Sequence, residues 1–229
     1  VLLDPTIGRT VEHYKSSSIK QAQLLGSQYA FLRTEFLEKR QRAYDRRAKT
    51  NTIKKILINY GGGDSGDLPL RTLEVLAKNK HCKSLDITLI ANSPQDQKLV
   101  KLARSMDSCD ILDFCNNIST VFLKNDLAIA AAGTSAYERA SLGLPSVMVQ
   151  LAENQEDNID NFKKNRLGWV IKDPKAADFS TELSQVIDHV FSNPEEYSEV
   201  ANGCFEKVSP LGLIKALGEI FGGNLVRLR

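Results

Sequence analysis

Three groups of residues in this sequence have types and spacings suited to binding: two offer backbone amides to a ligand, and the third is a pair of side-chain amides at a helix start. The first lies in DLAIAAAGTSAYERASLGLPSVMVQLAENQ, residues 126–155, where a short apolar strand runs into the small turn Ala132, Gly133, Thr134 and from there into a helix beginning near Ser135. A helix start offers unpaired N–H groups and the positive end of its dipole, and residues without bulk let a phosphate come close to the backbone. Ser135 and Glu138, three apart, also spell a capping box, in which the carboxylate only reaches back to its own helix start. Both readings of Glu138 are open at this point. The second group is Gly61, Gly62, Gly63 and Asp64, a glycine loop after an apolar strand. Its amides are free to face a ligand, but it lacks the P-loop lysine and the spaced glycines of a dinucleotide fingerprint, and a plain surface turn is the alternative. The third is Asn154 with Gln155, carried on a loop to a helix start, where Asn154 serves equally well as an N-cap with Asp157 three residues on.

The elements that position these groups follow from hydrophobic periodicity. Strands are expected at 56–60, 86–91, 111–114, 126–131, 146–150 and 168–171. Between them lie amphipathic segments, among them a helix after the glycine loop carrying Leu70, Leu73, Val75 and Leu76, and one begun by Pro94 with Leu99, Leu102 and Ala103 on one face. Gly143 fits the left-handed residue that ends a helix, and Pro145 opens the strand after it. Apolar positions in 179–191, 197–208 and 211–221 predict three closing helices, with residues 227–229 as an exposed tail. Alternation of buried strands with helices predicts an α/β fold, a Rossmann-like parallel sheet flanked by helices, whose ligands sit beyond the C-terminal strand ends. All three groups lie at that edge. The basic run EKRQRAYDRRAKTNTIKK, residues 38–55, predicts a solvated helix, with no apolar stripe that would lay it on a membrane.

AAGTSAYERASLGLPSV followed by LAENQ resembles the C-terminal signature of UDP-sugar enzymes of two-domain GT-B architecture. It is most similar to the hydrolase family that removes UDP from UDP-2,4-diacetamido-2,4,6-trideoxy-β-L-altropyranose in pseudaminic acid biosynthesis. Residues 142–146 and 152–155 match that family's LGLPS and AENQ, while Ala132, Thr134 and Tyr137 stand where it usually has Gly, Ser and Trp. Gly63 likewise replaces a serine of its glycine loop. Further upstream, LLDPTIG (2–8) and LLGSQYAFLRTEF (24–36) resemble the segment bridging the two halves of such enzymes. The resemblance implies a helical linker over 1–51 and the UDP-binding C-terminal domain of a GT-B fold over 52–229. It also implies that the sequence is a fragment whose N-terminal domain, carrying the catalytic histidine, precedes it. On that reading the chain holds no catalytic residue of its own, and His13 matches no catalytic motif. Glu138 would accept hydrogen bonds from the ribose diol, and amides around Gly133, Thr134 and Ser135 would hold the diphosphate. Asn154 and Gln155 would face the sugar, and Cys115 and Ile118 the uracil, although burial of Ile118 as a core residue is as good a reading. Arg33 and Glu35 fit a surface ion pair at a crossover or a role at the interdomain cleft. A glycosyltransferase, like the enzyme that adds N-acetylglucosamine to lipid I, and a non-catalytic nucleotide-sugar module are the alternatives.

Composition narrows the classes further. The 229 residues, 42% hydrophobic and 25% charged, are ordinary for a globular chain, and a net charge of +2 provides no basic surplus for nucleic acid. No apolar run approaches a membrane span and no signal peptide is visible, so a cytoplasmic protein is expected. Cys82, Cys109, Cys115 and Cys204 form no C-x-x-C pair and the histidines are scattered, so neither a metal nor a cofactor is expected. The expected partners are UDP or a UDP-sugar and the enzyme's own N-terminal domain.

Overall fold

The computed structural model describes residues 1–15, 22–49, 52–63, 65–91, 95–113, 115–209 and 211–220. Two short parallel strands, β1 (Leu2–Asp4) and β2 (Gln23–Leu25), precede helix α1 (Thr34–Arg47). The alternating part then runs β3 (Lys55–Asn59), α2 (Leu68–Lys78), β4 (Asp86–Ile90), α3 (Gln97–Arg104), β5 (Cys109–Leu112), α4 (Ile118–Lys124), β6 (Leu127–Ala131), α5 (Ser135–Ser141), β7 (Ser146–Val149), α6 (Glu156–Lys164) and β8 (Trp169–Ile171). Helices α7 (Phe179–Ser192), α8 (Pro194–Lys207) and α9 (Leu211–Ile220) follow. β3 to β8 form one six-stranded sheet in the order β5-β4-β3-β6-β7-β8, every pair parallel. The expected strands are all present, each within one or two residues of its expected bounds.

The strands are apolar on both faces because both faces are covered. Alternate side chains of a strand point to opposite sides, so Ile56, Ile58, Leu127 and Ile129 pack with α2, α3 and α7. Leu57, Ala128 and Ala130 pack with Phe36 of α1, Phe122 of α4 and Leu142 after α5. Among the described residues no helix is long and apolar enough to cross a membrane.

Two sequence expectations are corrected. Helix α3 starts at Gln97, with Asp96 Oδ1 accepting from the amides of Lys98 at 2.8 Å and Leu99 at 3.0 Å. Pro94, expected to start it, lies outside the described residues, as do Phe114 and residues 227–229. The basic run is a solvated helix on one face only, where Glu38, Gln41, Arg42 and Asp45 are exposed. α1 begins four residues before Glu38, ends at Arg47, and turns three of its arginines inward. Arg47 Nε donates to the Leu142 carbonyl at 2.7 Å and its Nη2 to Phe122 at 3.2 Å. Arg46 Nη2 donates to the Lys124 carbonyl at 3.1 Å and pairs with Asp126. Arg40 Nη1 donates to Ser141 at 2.6 Å and to Val208 at 2.9 Å. Apart from the Asp126 carboxylate, these acceptors are carbonyls at the ends of α4, α5 and α8, groups that a helix cannot satisfy by itself. Burial pushes the Arg47 guanidinium down to about 10. Charge alone gives no sign that a planar, five-donor side chain will spend its hydrogen bonds on the interior.

The end of α5 is a Schellman motif. Gly143, at φ +59°, donates to the Ala140 carbonyl at 2.8 Å, and Leu144 donates to Arg139 at 3.0 Å. A Cβ on Gly143 would stand 2.1 Å from Cε2 of Phe205. Gly143→Ala is therefore expected to lower unfolding free energy by about 2–4 kcal/mol, from left-handed strain plus overpacking, read as a lower urea midpoint. Gly62→Ala, which meets nothing within 4 Å, should leave the midpoint unchanged. Equal midpoints for both variants would contradict this packing.

Candidate functional site

The strand order reverses direction of growth between β3 and β6: from β3 the chain moves outward to β4 and β5, then returns to lay β6 on β3's other side. Loops leaving the C-terminal ends of two such strands diverge and open a crevice, the usual ligand position in this architecture. β3 and β6 pair up to Asn59↔Ala130. The glycine loop and the turn at 132–135 therefore leave neighbouring strands at one edge, and the two principal groups found in the sequence are brought together. Gly61, at φ +83°, needs glycine for its own backbone, and its amide donates to Asn59 Oδ1 at 2.9 Å. Gly62 and Gly63 border open space, where an added Cβ would touch nothing within 4 Å. Asp64 lies outside the described residues.

The turn after β6 is tied down from behind and open in front. Ala131's carbonyl accepts from Arg139 Nη2 at 2.8 Å and Ala132's carbonyl from Asn158 Nδ2 at 3.1 Å. Among the described residues no hydrogen bond takes up the amides of Gly133, Thr134 or Ser135. Thr134, the residue before α5, is exposed and makes no side-chain cap bond. Arg139 is wholly buried; besides Ala131 it donates from Nη1 to Ser135 Oγ at 3.0 Å and from Nε to Ser146 Oγ at 3.1 Å. Burial pushes its guanidinium down to about 10, so it is still a cation at neutral pH, and it stands directly behind the turn. Free amides in front of a buried positive charge make this turn attractive to an anion.

Glu138 does not cap its helix. Arg33 forks onto its carboxylate, Nε at 2.8 Å from Oε1 and Nη2 at 3.1 Å from Oε2. The capping-box reading is set aside because the residue before α5 is itself helical, which leaves no extended N-cap for the box to close on. Gln155 stands by the turn, its Nε2 3.7 Å from the point a Gly133 Cβ would occupy and its Oε1 accepting from the Leu151 amide at 2.9 Å. Asn154 is exposed in a one-turn 3-10 helix, Glu153–Gln155, and does not cap α6; Gln155 occupies the position before it. Cys115 and Ile118 are half-buried beside the start of α4, where Asn117 is the cap, accepting from the Thr120 amide at 3.1 Å. Ile118 packs against the core on the α1 side of the sheet.

Sequence reasoning missed Arg139, Asn158 and the Arg33–Glu138 pair; the Arg33–Glu35 ion pair it offered is present, Nη1 lying 3.0 Å from Oε1. Arg139 had one visible signal, a cation four residues from Ser135 on the short helix that also carries Glu138. Asn158 had none. It links the turn to Tyr137, whose hydroxyl donates to Asn158 Oδ1 at 3.2 Å and accepts from the buried amide of Ile7 at 3.3 Å.

Residues 38–210 match the glycosyltransferase family 28 C-terminal domain. The chain superposes on MurG of Acinetobacter baumannii with a TM-score of 0.66 at 19% identity, covering 78% of this chain and 52% of that one. On the spinosyn rhamnosyltransferase SpnG complexed with thymidine diphosphate the TM-score is 0.61 at 16% identity, over 95% of this chain and 56% of that one. An uncharacterized protein of Methanocaldococcus jannaschii is 25% identical over 169 residues, which are 72% of this chain and 35% of that protein. The chain thus spans about half the length of the two enzymes and about a third of the archaeal relative. At these identities the structural likeness is one of fold, a parallel sheet flanked by helices as in the C-terminal domains of GT-B glycosyltransferases.

Tyr137→Phe is expected to destabilise the chain by about 1–2 kcal/mol, because it leaves the buried Ile7 amide without an acceptor and Asn158 without a donor. Chemical denaturation measures it. A change below about 0.3 kcal/mol would mean that the Ile7 to Ala132 chain of bonds contributes nothing.

Proposed function

The chain belongs to the glycosyltransferase family 28 C-terminal domain family, and on that premise we propose that it is the nucleotide-holding half of an enzyme acting on a UDP-sugar. The observation that carries this reading is the set of three free amides at 133–135, beside the Glu138 carboxylate and at the crevice between β3 and β6. A nucleoside diphosphate needs those two features together: donors for the diphosphate and a carboxylate for the ribose diol. In this reading Gly133, Thr134 and Ser135 take the diphosphate with Gly61, Gly62, Gly63 and Asp64 opposite, and Glu138 takes the diol. Cys115 and Ile118 flank the uracil, and Asn154 and Gln155 face the sugar. The structure of SpnG complexed with thymidine diphosphate supports the ligand class.

We read the reaction as hydrolysis, with UDP released from a diacetamido-trideoxy-hexose, on the strength of the LGLPS and AENQ matches. Water attacks the anomeric carbon and gives its proton to a base in an N-terminal domain. The carbon–oxygen bond to the diphosphate breaks, and its electron pair leaves on the β-phosphate oxygen. This half of the enzyme stabilises that growing charge through the turn amides and buried Arg139. A glycosyltransferase is the second reading, favoured by the family match and by the superposition on MurG. Residues 1–51 then serve as linker and crossover helix, with α1 packed onto the nucleotide domain of residues 52–229, under either reading. Turnover of a UDP-sugar by the two-domain enzyme with water alone supports hydrolysis; an absolute requirement for an acceptor sugar supports transfer.

Glu138→Gln should weaken UDP binding by ~1.5–3 kcal/mol in calorimetry, while its unfolding free energy stays within about 1 kcal/mol of the parent's, since a partly exposed ion pair holds little stability. Unchanged UDP affinity would overturn the ribose assignment. Asn154→Ala in the two-domain enzyme should lower kcat/KM by about ten-fold or more while leaving UDP affinity within ~0.5 kcal/mol. Wild-type turnover in Asn154→Ser would end the claim for Asn154, because a serine cannot reproduce the amide's paired donor and acceptor.

A further inference from the structure

Helices α4, α1 and α5 lie in one layer, and their first turns are joined by a continuous row of polar side chains. The hydroxyl of Ser119, buried at the start of α4, lies 2.9 Å from Asn117 Oδ1 and 2.6 Å from Glu35 Oε2. Glu35 Oε1 is 3.0 Å from Arg33 Nη1, and the other edge of the same guanidinium forks onto both oxygens of Glu138. The plane of Arg33 is fixed a third way, over the ring of Phe36 with 5.0 Å from Cζ to the centroid, and Phe36 is itself fully buried. The row therefore runs from the start of α4, beside Cys115 and Ile118, to the carboxylate beside the turn amides.

We infer that Arg33 is a positioning residue of the nucleotide site. It sets the plane of the Glu138 carboxylate and, through Glu35 and Ser119, sets that carboxylate's distance from the loop before α4. The inference rests on the reading that Glu138 receives the ribose diol. An ionised carboxylate has about four acceptor positions, and a bidentate guanidinium takes two of them, so Arg33 and a vicinal diol are compatible on one Glu138. A free glutamate side chain samples several rotamers and loses that freedom on binding; one already held by a planar fork has lost it in advance, which favours the ligand. Lysine, a point charge with no fork, reproduces the attraction without fixing the plane. The opposite role, a cation that competes with the ligand for Glu138, predicts the opposite sign.

The experiment compares UDP with 2′,3′-dideoxy-UDP on the unaltered protein, Arg33→Lys and Arg33→Ala, with urea midpoints as the folding control. Expected are tighter binding of UDP than of the dideoxy compound by the unaltered protein, and a loss of UDP affinity of about five- to twenty-fold in Arg33→Ala with an intermediate loss in Arg33→Lys. The dideoxy compound should bind all three proteins within about two-fold, since a residue acting through Glu138 on the diol has nothing to act on there. A general folding defect would lower both ligands alike. Equal losses for both nucleotides, or unchanged or tighter UDP binding in Arg33→Ala, overturn the inference and leave the ribose reading standing. Equal affinity of the unaltered protein for the two nucleotides removes the ribose reading and the inference with it.

Discussion

The structure depends on one consequence of an all-parallel sheet: every strand empties at the same edge, and the helices of the α1 layer start at that edge and end at the opposite one. Unsatisfied N–H groups collect on one side of the domain and unsatisfied carbonyls on the other. The two sides are treated differently. At the carbonyl side, Arg40, Arg46 and Arg47 of α1 reach the ends of α4 and α5 and close them. At the amide side, the amides of residues 133–135 have no partner among the described residues, while Arg139 and Asn158 hold the turn from behind. α1 serves both edges, with Arg33 and Glu35 at its start and the three capping arginines along its length.

That asymmetry explains why a buried cation is tolerated under the turn. Arg139 has no carboxylate among its hydrogen-bond partners; it is held by one carbonyl and two hydroxyls. Such a group carries a desolvation cost, seen in the fall of its guanidinium to about 10. The three amides in front of it have no partner among the described residues, so an anion at the turn would satisfy both at once. Electrostatics and fold therefore converge on the edge that the topology had already opened.

Much of the fold was legible in the sequence, and the misreadings share one cause. Strands such as Leu127–Ala131 declare themselves because a strand buried on both faces must be apolar throughout, and Gly143 does so because a left-handed helix end admits little else. The site's members were legible as types, but their partners were not. Glu138 three residues after Ser135 spells a cap by local spacing, yet its carboxylate is taken by Arg33, 105 residues away in sequence. Arg40, Arg46 and Arg47 read as solvent charge because their acceptors are carbonyls of three distant helices. Local rules describe what a side chain can do within a turn or two; long polar side chains satisfy themselves wherever the packing brings an acceptor.

The central claim is that a nucleoside diphosphate sits at the β3–β6 edge, and residue-resolved amide chemical shifts during a UDP titration test it most directly. The account predicts saturable shifts at Gly62, Gly133, Thr134, Ser135 and Glu138, with smaller ones at Ile118 and Gln155. Shifts confined to another surface, such as the groove lined by Asn165, Trp169, Glu199 and Lys207, with the turn amides unmoved, would contradict it.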